Sequence, residues 1–167
     1  MWIIKNMENK ELEFLKDMLY ESIYMPEDVK DKAKLLNSPS IKKYYEDWGR
    51  KGDIALIATD ANNRAVGAVW YRLFDESNMG YGYVDNQTPE LGIAVMKEAR
   101  GLGVGTLLMK KIIEQAAVDG FKTLSLSVDP DNRSAVHIYR QLGFVDYGIS
   151  GTSITMIYRK RAKFNIK

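Results

Sequence analysis

Between an apolar run, Leu91 to Val95, and a helix-like run, Val104 to Val118, the chain reads Arg100-Gly101-Leu102-Gly103-Val104-Gly105-Thr106. Three alternating glycines let the backbone approach a ligand closely, because no Cβ stands in the way. The free N–H groups of the following helix's first turn point at the same spot, and the helix dipole favours negative charge there. Arg100 adds a positive charge carried on a planar fork of donors. A strand, a glycine turn and a helix N-terminus in this order make a site for a phosphate or pyrophosphate.

Two nucleotide patterns fail on this stretch. After Gly101 and Gly103, the third glycine of G-x-G-x-x-G is replaced by Thr106, and a P-loop would need Gly-Lys-Ser/Thr where Thr106-Leu107 stand. What fits is Arg-x-x-Gly-x-Gly, which resembles the pyrophosphate loop of the GNAT family of N-acetyltransferases. Downstream, Asn132-Arg133-Ser134-Ala135-Val136-His137-Ile138-Tyr139-Arg140-Gln141-Leu142-Gly143-Phe144 resembles that family's second signature, N-x-x-A-x-x-x-Y-x-x-x-G-F, at every fixed position. The order of strand, loop, helix, strand, Asn helix and Gly-Phe is similar too. The resemblance covers residues 53 to 158 well and the first fifty only in outline; Lys97 departs from it, standing where the family often has proline.

Composition sets the outer bounds. A length of 167 residues suits one domain, expected to span 1–167, with its own core. Apolar and charged fractions of 46% and 28% are those of an ordinary globular protein. No cysteine is present, which excludes thiol catalysis and a disulfide framework and is compatible with the cytoplasm. A net charge of +2 argues against nucleic acid as partner. No apolar run reaches the roughly 18 residues of a membrane span, and no signal peptide is read at the N-terminus. One histidine and no cysteine leave little for a transition metal.

Along the chain, Trp2 to Lys5 reads as a strand, and Glu11 to Tyr24 as a helix with Leu12, Leu15, Leu19 and Ile23 on one face, ended by Pro26. Lys34 to Trp48 is helix-like but interrupted at Asn37-Ser38-Pro39, where Ser38 is positioned to cap a helix starting at Pro39. Ile54 to Ala58 and Val66 to Phe74 read as a hairpin around Asp60 to Arg64, and Gly80 to Gln87 as a loop that closes on a strand edge. Glu90 to Val95 is a strand, Val104 to Val118 a helix ended by Gly120, and Thr123 to Val128 a strand with one richly buried face. A helix from Asn132, its expected N-cap, runs to Leu142; Phe144-Val145 opens another strand, Ile154 to Tyr158 is the last, and a basic tail follows from Arg159. The expected fold is α/β (α+β), a mixed and mostly antiparallel sheet of about six to seven strands flanked by helices. The resemblance adds a splay between the two central strands.

The resemblance also assigns a site. Main-chain groups of Ile93, Ala94 and Val95 would bond the pantetheine arm of acetyl-CoA like a missing strand. Arg100, Gly101, Leu102, Gly103, Val104, Gly105 and Thr106 would hold its pyrophosphate, and the Asn132 side chain would contact the cofactor. Tyr139 would place its hydroxyl at the cofactor sulfur as a proton donor; an ordinary tyrosine titrates near ~10. Glu90 lies near where some relatives carry a general base, although its face on the strand stays open, with water relays or a main-chain carbonyl as alternatives. His137, two residues from Tyr139 and roughly 200° around a helix axis, faces elsewhere.

The implied activity is acetyl transfer from acetyl-CoA to a primary amine, of which about one in 10³ is unprotonated at neutral pH. A small molecule, such as a polyamine or an aminoglycoside, and a peptide or protein amine all stay open as acceptor, as does a homodimer. Tyr20, Tyr24, Tyr44, Tyr45 and Trp48, mixed with Glu21, Glu27, Asp28, Glu46 and Asp47, would suit a cationic amine or simply form a helix face. The alternative activity class is a non-catalytic acyl-CoA sensor, against which the presence of Tyr139 argues.

Overall fold

The computed structural model describes residues 1–25 and 30–160. Strands β1 (Ile3–Asn6), β2 (Ile54–Thr59), β3 (Ala65–Arg72) and β4 (Glu90–Val95) pair antiparallel in that order. The β2–β3 turn closes on Asp60, whose Oδ1 accepts from the amides of Asn62 at 2.9 Å and Arg64 at 3.0 Å. Strands β5 (Thr123–Val128), β6 (Val145–Ser150) and β7 (Ser153–Arg159) complete a seven-stranded sheet of order β1-β2-β3-β4-β5-β7-β6. The last strand therefore inserts between β5 and β6, which a pattern of alternating residues does not reveal.

Period-two alternation sends successive side chains to opposite faces of the sheet. Val69, Tyr71 and Leu91 pack under helices α4 (Val104–Val118) and α5 (Arg133–Gln141). Ala68, Trp70 and Ala94 pack under α1 (Leu12–Glu21), α2 (Lys32–Asn37) and α3 (Pro39–Lys42). The mixed sheet flanked by helices is thus as expected, and the bounds of β4 and α4 match the sequence reading. Strand β5 differs, since Ser125 on its polar side is as fully buried as Leu124 and Leu126.

The N-terminal helices are shorter than their periodicity implies. A 3₁₀ turn, Asn9–Glu11, precedes α1, which stops at Glu21, where the Ser22 hydroxyl donates back to the Leu19 carbonyl at 2.6 Å. Pro26, the expected terminator, lies outside the described residues, as do Glu27 and Asp28 and the basic tail beyond Lys160. Helix α3 does start at Pro39, but the Ser38 hydroxyl turns back to the Leu35 carbonyl at 2.9 Å and does not cap it. The Gly80–Gln87 segment is a turn-rich loop laid on β5: a Cβ at Gly82 would stand 2.9 Å from the carbonyl carbon of Leu126.

Strands β4 and β5 form the one parallel pairing among the described residues, and they meet at a single register pair, Glu90 with Ser125. The Ser125 amide donates to the Pro89 carbonyl at 3.0 Å, and past that point the strands part. This is the expected splay. It leaves the β5-facing edge of Ile93 to Val95 without a neighbouring strand.

One buried ion pair was not legible in the sequence. Arg72, at the end of β3, bonds Asp53 through Nε at 2.9 Å and a terminal nitrogen at 2.7 Å, with both side chains 1% exposed. Its other terminal nitrogen donates to the carbonyls of Lys43 and Glu46, at 2.9 and 2.7 Å, and Trp48 covers the guanidinium at 5.0 Å. Asp53 also accepts from the amides of Gly49 and Arg50, both at 2.9 Å. The pair thus pins the turn after α3 to the sheet. Removing one partner strands a buried charge, so Asp53→Ala should cost about 3–5 kcal/mol in urea unfolding. A loss below about 1 kcal/mol would mean the pair is as weak as an exposed one.

Candidate active site

A cavity of about 1050 Å³ opens where β4 and β5 part, and it runs from the glycine loop to the aromatic segment after α3. At one end, Gly101 and Gly103 hold φ of 78° and 87°, in the left-handed region that side chains resist. A Cβ at either position would meet no protein atom within 4 Å, so the backbone conformation requires glycine and the space above the loop is open. Gly103 is the N-cap residue of α4, so the helix's first free amides face this end. Gly105 and Thr106 line the cavity too; Leu102 points outward, 61% exposed, and Val104 is core at 1%. Val104 can meet a ligand only through its main chain.

Arg100 is more committed than a free surface charge. Its Nε donates to the Val95 carbonyl at 2.9 Å, and a terminal nitrogen pairs with Glu21 of α1 at 3.3 Å. The side chain therefore ties the glycine loop to β4 and to α1. Ile93, Ala94 and Val95 form the adjoining wall.

Asn132 occupies the N-cap position of α5 and lines the cavity, but its side chain makes no cap bond. With ψ at 70° it accepts from the Ser134 hydroxyl at 3.4 Å instead, which corrects the expected side-chain cap. Two turns on, Tyr139 lines the same cavity and packs on Phe144, with ring centroids 6.0 Å apart. Its hydroxyl has no hydrogen-bond partner among the described residues. Burial pushes this phenol up to about 12, so it keeps its proton well past the ordinary tyrosine range. His137 is exposed on the other side of α5, as its position on the helix implied.

Glu90 sits at the root of the splay. Its open question of face is answered: the side chain is 5% exposed and lines the cavity. Oε2 accepts from the Tyr44 hydroxyl at 2.6 Å and Oε1 from the Gly82 amide at 2.9 Å. Arg72 is its register partner on β3 and shares its sheet face, but the guanidinium is spent on Asp53 and on the Lys43 and Glu46 carbonyls. Burial therefore dominates, and it raises Glu90 from 4.5 to about 7 against the opposing pull of Tyr44, Gly82 and Lys43. The Tyr44 phenol is pushed well above its usual range by burial and by the Glu90 charge. Tyr44 was legible only as one aromatic among several, because no local spacing links it to a carboxylate 46 positions away.

The acetyltransferase (GNAT) family profile matches residues 17–144. The chain belongs to the GNAT family. A mycothiol acetyltransferase from Actinosynnema mirum is 34% identical over 102 residues, which are 61% of this chain and 31% of that protein. An L-methionine sulfoximine/L-methionine sulfone acetyltransferase from Pseudomonas aeruginosa is 26% identical over 101 residues, 60% of this chain and 56% of that protein. The chain thus spans less than two thirds of the length of these curated relatives. Among solved structures, a GCN5-related N-acetyltransferase from Kribbella flavida superposes with a TM-score of 0.68 at 17% identity, covering 95% of this chain and 98% of that one. A spermidine N-acetyltransferase from Vibrio cholerae, in complex with CoA and spermine, gives 0.65 at 18% identity, with 95% of each chain covered. At these identities the likeness speaks for the fold.

Within this GNAT fold the Glu90 environment makes a stability prediction. The folded state binds Glu90's proton more tightly than the unfolded state does, so between 4.5 and about 7 it holds more protons. Stability from this group is therefore present at low pH and lost as pH rises through that window. The wild type should lose up to about 3 kcal/mol relative to Glu90→Gln from pH 4.5 to 7.5, measured by denaturant unfolding at each pH. Parallel curves for the two proteins would place Glu90 in an ordinary, solvated setting.

Proposed function

We propose that this chain transfers an acetyl group from acetyl-CoA to a primary amine, with Glu90 as general base and Tyr139 as general acid. The observation that carries the reading is that one cavity holds both groups. Glu90 lies where β4 and β5 part, poised near neutrality, and Tyr139 keeps its proton up to about 12. The protein fits the cosubstrate. The left-handed glycines leave open space at a helix N-terminus, which suits pyrophosphate. The β5-facing amides of Ile93 and Val95 suit an amide-bearing arm laid alongside them, Ala94 being turned to β3 and the Val95 carbonyl taken by Arg100. Asn132 stands at the same wall.

The bound thioester supplies the acetyl group. The glycine loop and β4 hold it in place, and a β4 amide near Val95 is placed to donate to the carbonyl oxygen as negative charge develops there. Glu90 takes the proton that the attacking amine must lose as its nitrogen bonds to the acetyl carbon. Tyr139 Oη gives its proton to the sulfur as the C–S bond breaks. The two side chains thus end the cycle one proton up and one proton down, and exchange with solvent resets them. The acceptor is a small-molecule amine, since the other end of the cavity is walled by Tyr24, Tyr44, Trp70 and Tyr81, with serines 22, 38 and 40.

Steady-state rates of thiol release, with an amine panel as acceptors, test this. In the wild type kcat/KM, referred to the unprotonated amine at each pH, should rise with pH through about 7, as Glu90 loses its proton, and then hold level to pH 10 because Tyr139 stays protonated. Tyr139→Phe should lower kcat about 10²-fold with KM little changed, and the deficit should persist to pH 10. Glu90→Gln should remove the rise near neutrality. A Tyr139→Phe enzyme within threefold of wild type would remove Tyr139 from the mechanism, and no thiol release for any amine would point to an acyl-CoA-binding module.

A further inference from the structure

The Tyr44 hydroxyl joins three segments that are distant in sequence. It donates to Glu90 Oε2 at 2.6 Å and accepts from the Tyr81 amide at 2.7 Å. The neighbouring Gly82 amide takes the other carboxylate oxygen at 2.9 Å. The carboxylate is thus held at both oxygens, once by a phenol and once by the loop that the same phenol fastens.

The ring itself has little freedom. Phe74 meets it edge-on with centroids 5.1 Å apart, and Tyr81 lies parallel at 6.5 Å and 6°. The backbone on either side is tied down, because Arg72 takes the carbonyls of Lys43 and Glu46. Gly80 completes the fit: a Cβ there would collide with Glu90 Oε1 and stand 2.7 Å from the Tyr44 hydroxyl. Only a residue without a side chain lets the loop close over this pair.

We propose that Tyr44 is the positioning residue of the acceptor-site base: it aims the Glu90 carboxylate into the cavity and locks the 80–82 loop above it. The Arg72–Asp53 pair holds Tyr44 in register. The inference rests on the reading of Glu90 as base. The groups that face Glu90 are Tyr44 and Lys43 from the turn after α3, Tyr81 and the Gly82 amide from the loop, Ser125 from β5 and Arg72 from β3. Lys43 is anchored at 2.8 Å to the Met79 carbonyl, and Arg72 is matched by Asp53. Of these, Tyr44 makes the shortest bond to the carboxylate, and it favours the charged, proton-accepting form.

The test is the pH dependence of kcat/KM, referred to the unprotonated amine, for wild type, Tyr44→Phe, Gly80→Ala and Glu90→Gln, with melting temperature and CoA affinity measured alongside. Tyr44→Phe keeps the ring and loses the bond, so the rise that reports Glu90 should move up by roughly one pH unit. Activity should be about fivefold down at pH 7, recover above pH 9, and CoA affinity should stay within threefold. Gly80→Ala pushes on the same pair from the loop and should move the rise in the same direction; it decides the matter if Tyr44→Phe fails to fold. A residue with a merely structural role would lower the melting temperature or the rate at every pH and leave the rise where it was. If Glu90→Gln keeps the rise, Glu90 is not the base, and that earlier reading fails by itself. If Glu90→Gln abolishes the rise while Tyr44→Phe and Gly80→Ala leave it within about 0.2 pH unit, the positioning role of Tyr44 is overturned.

Discussion

Strand β4 is paired with β3 along its whole length, yet it touches β5 at one register position. Backbone amides and carbonyls left without partners cost free energy unless something else satisfies them. The parting of these strands is therefore a constraint on everything around it. Along Ile93 to Val95 the sheet presents an open edge. At the point of parting a glutamate is enclosed, and beyond Val95 the chain passes through a short turn, Lys97–Ala99, and the glycine loop into α4. The cavity is the space this leaves, and its two ends differ because different elements close them.

At the far end of β4 the turn into α4 relies on glycines at positive φ, with Gly103 serving as N-cap residue. Arg100 braces this turn against β4 and α1. At the near end the closing elements are the turn after α3 and the 80–83 loop, drawn together by Tyr44 and backed by the Arg72–Asp53 pair. The buried guanidinium matters for charge as well as for shape. It lies beside Glu90 on the same sheet face, but Asp53 neutralises it, so Glu90 stays close to neutrality and is not held as a permanent carboxylate.

What was legible in the sequence follows the range of each interaction. The strand Glu90–Val95, the glycine turn and the helix Val104–Val118 are local features, set by apolar runs and by breakers, and they appear where the sequence places them. The splay and the placing of Tyr139 came through resemblance to a family, carried by two motifs. Local reasoning went astray where a polar side chain had a choice of partners: Ser38 bonds back to Leu35, and Asn132 accepts from the Ser134 hydroxyl in place of a backbone amide of its helix. Tyr44 with Glu90, Arg72 with Asp53, and β7 between β5 and β6 are long-range pairings. No periodicity encodes them, and they decide the electrostatics of the site.

On the proposed reading, the open edge of β4 is the seat of the cosubstrate. Amide hydrogen exchange, read residue by residue with and without acetyl-CoA, addresses it directly, because a ligand bonding that edge slows exchange at the amides it engages. New protection is expected at the Ile93 and Val95 amides of β4 and in the 101–106 loop, with β1 and β6 unchanged. Protection of the loop without any change on β4 would contradict that reading, since the phosphates would then be bound while the parted strands held nothing.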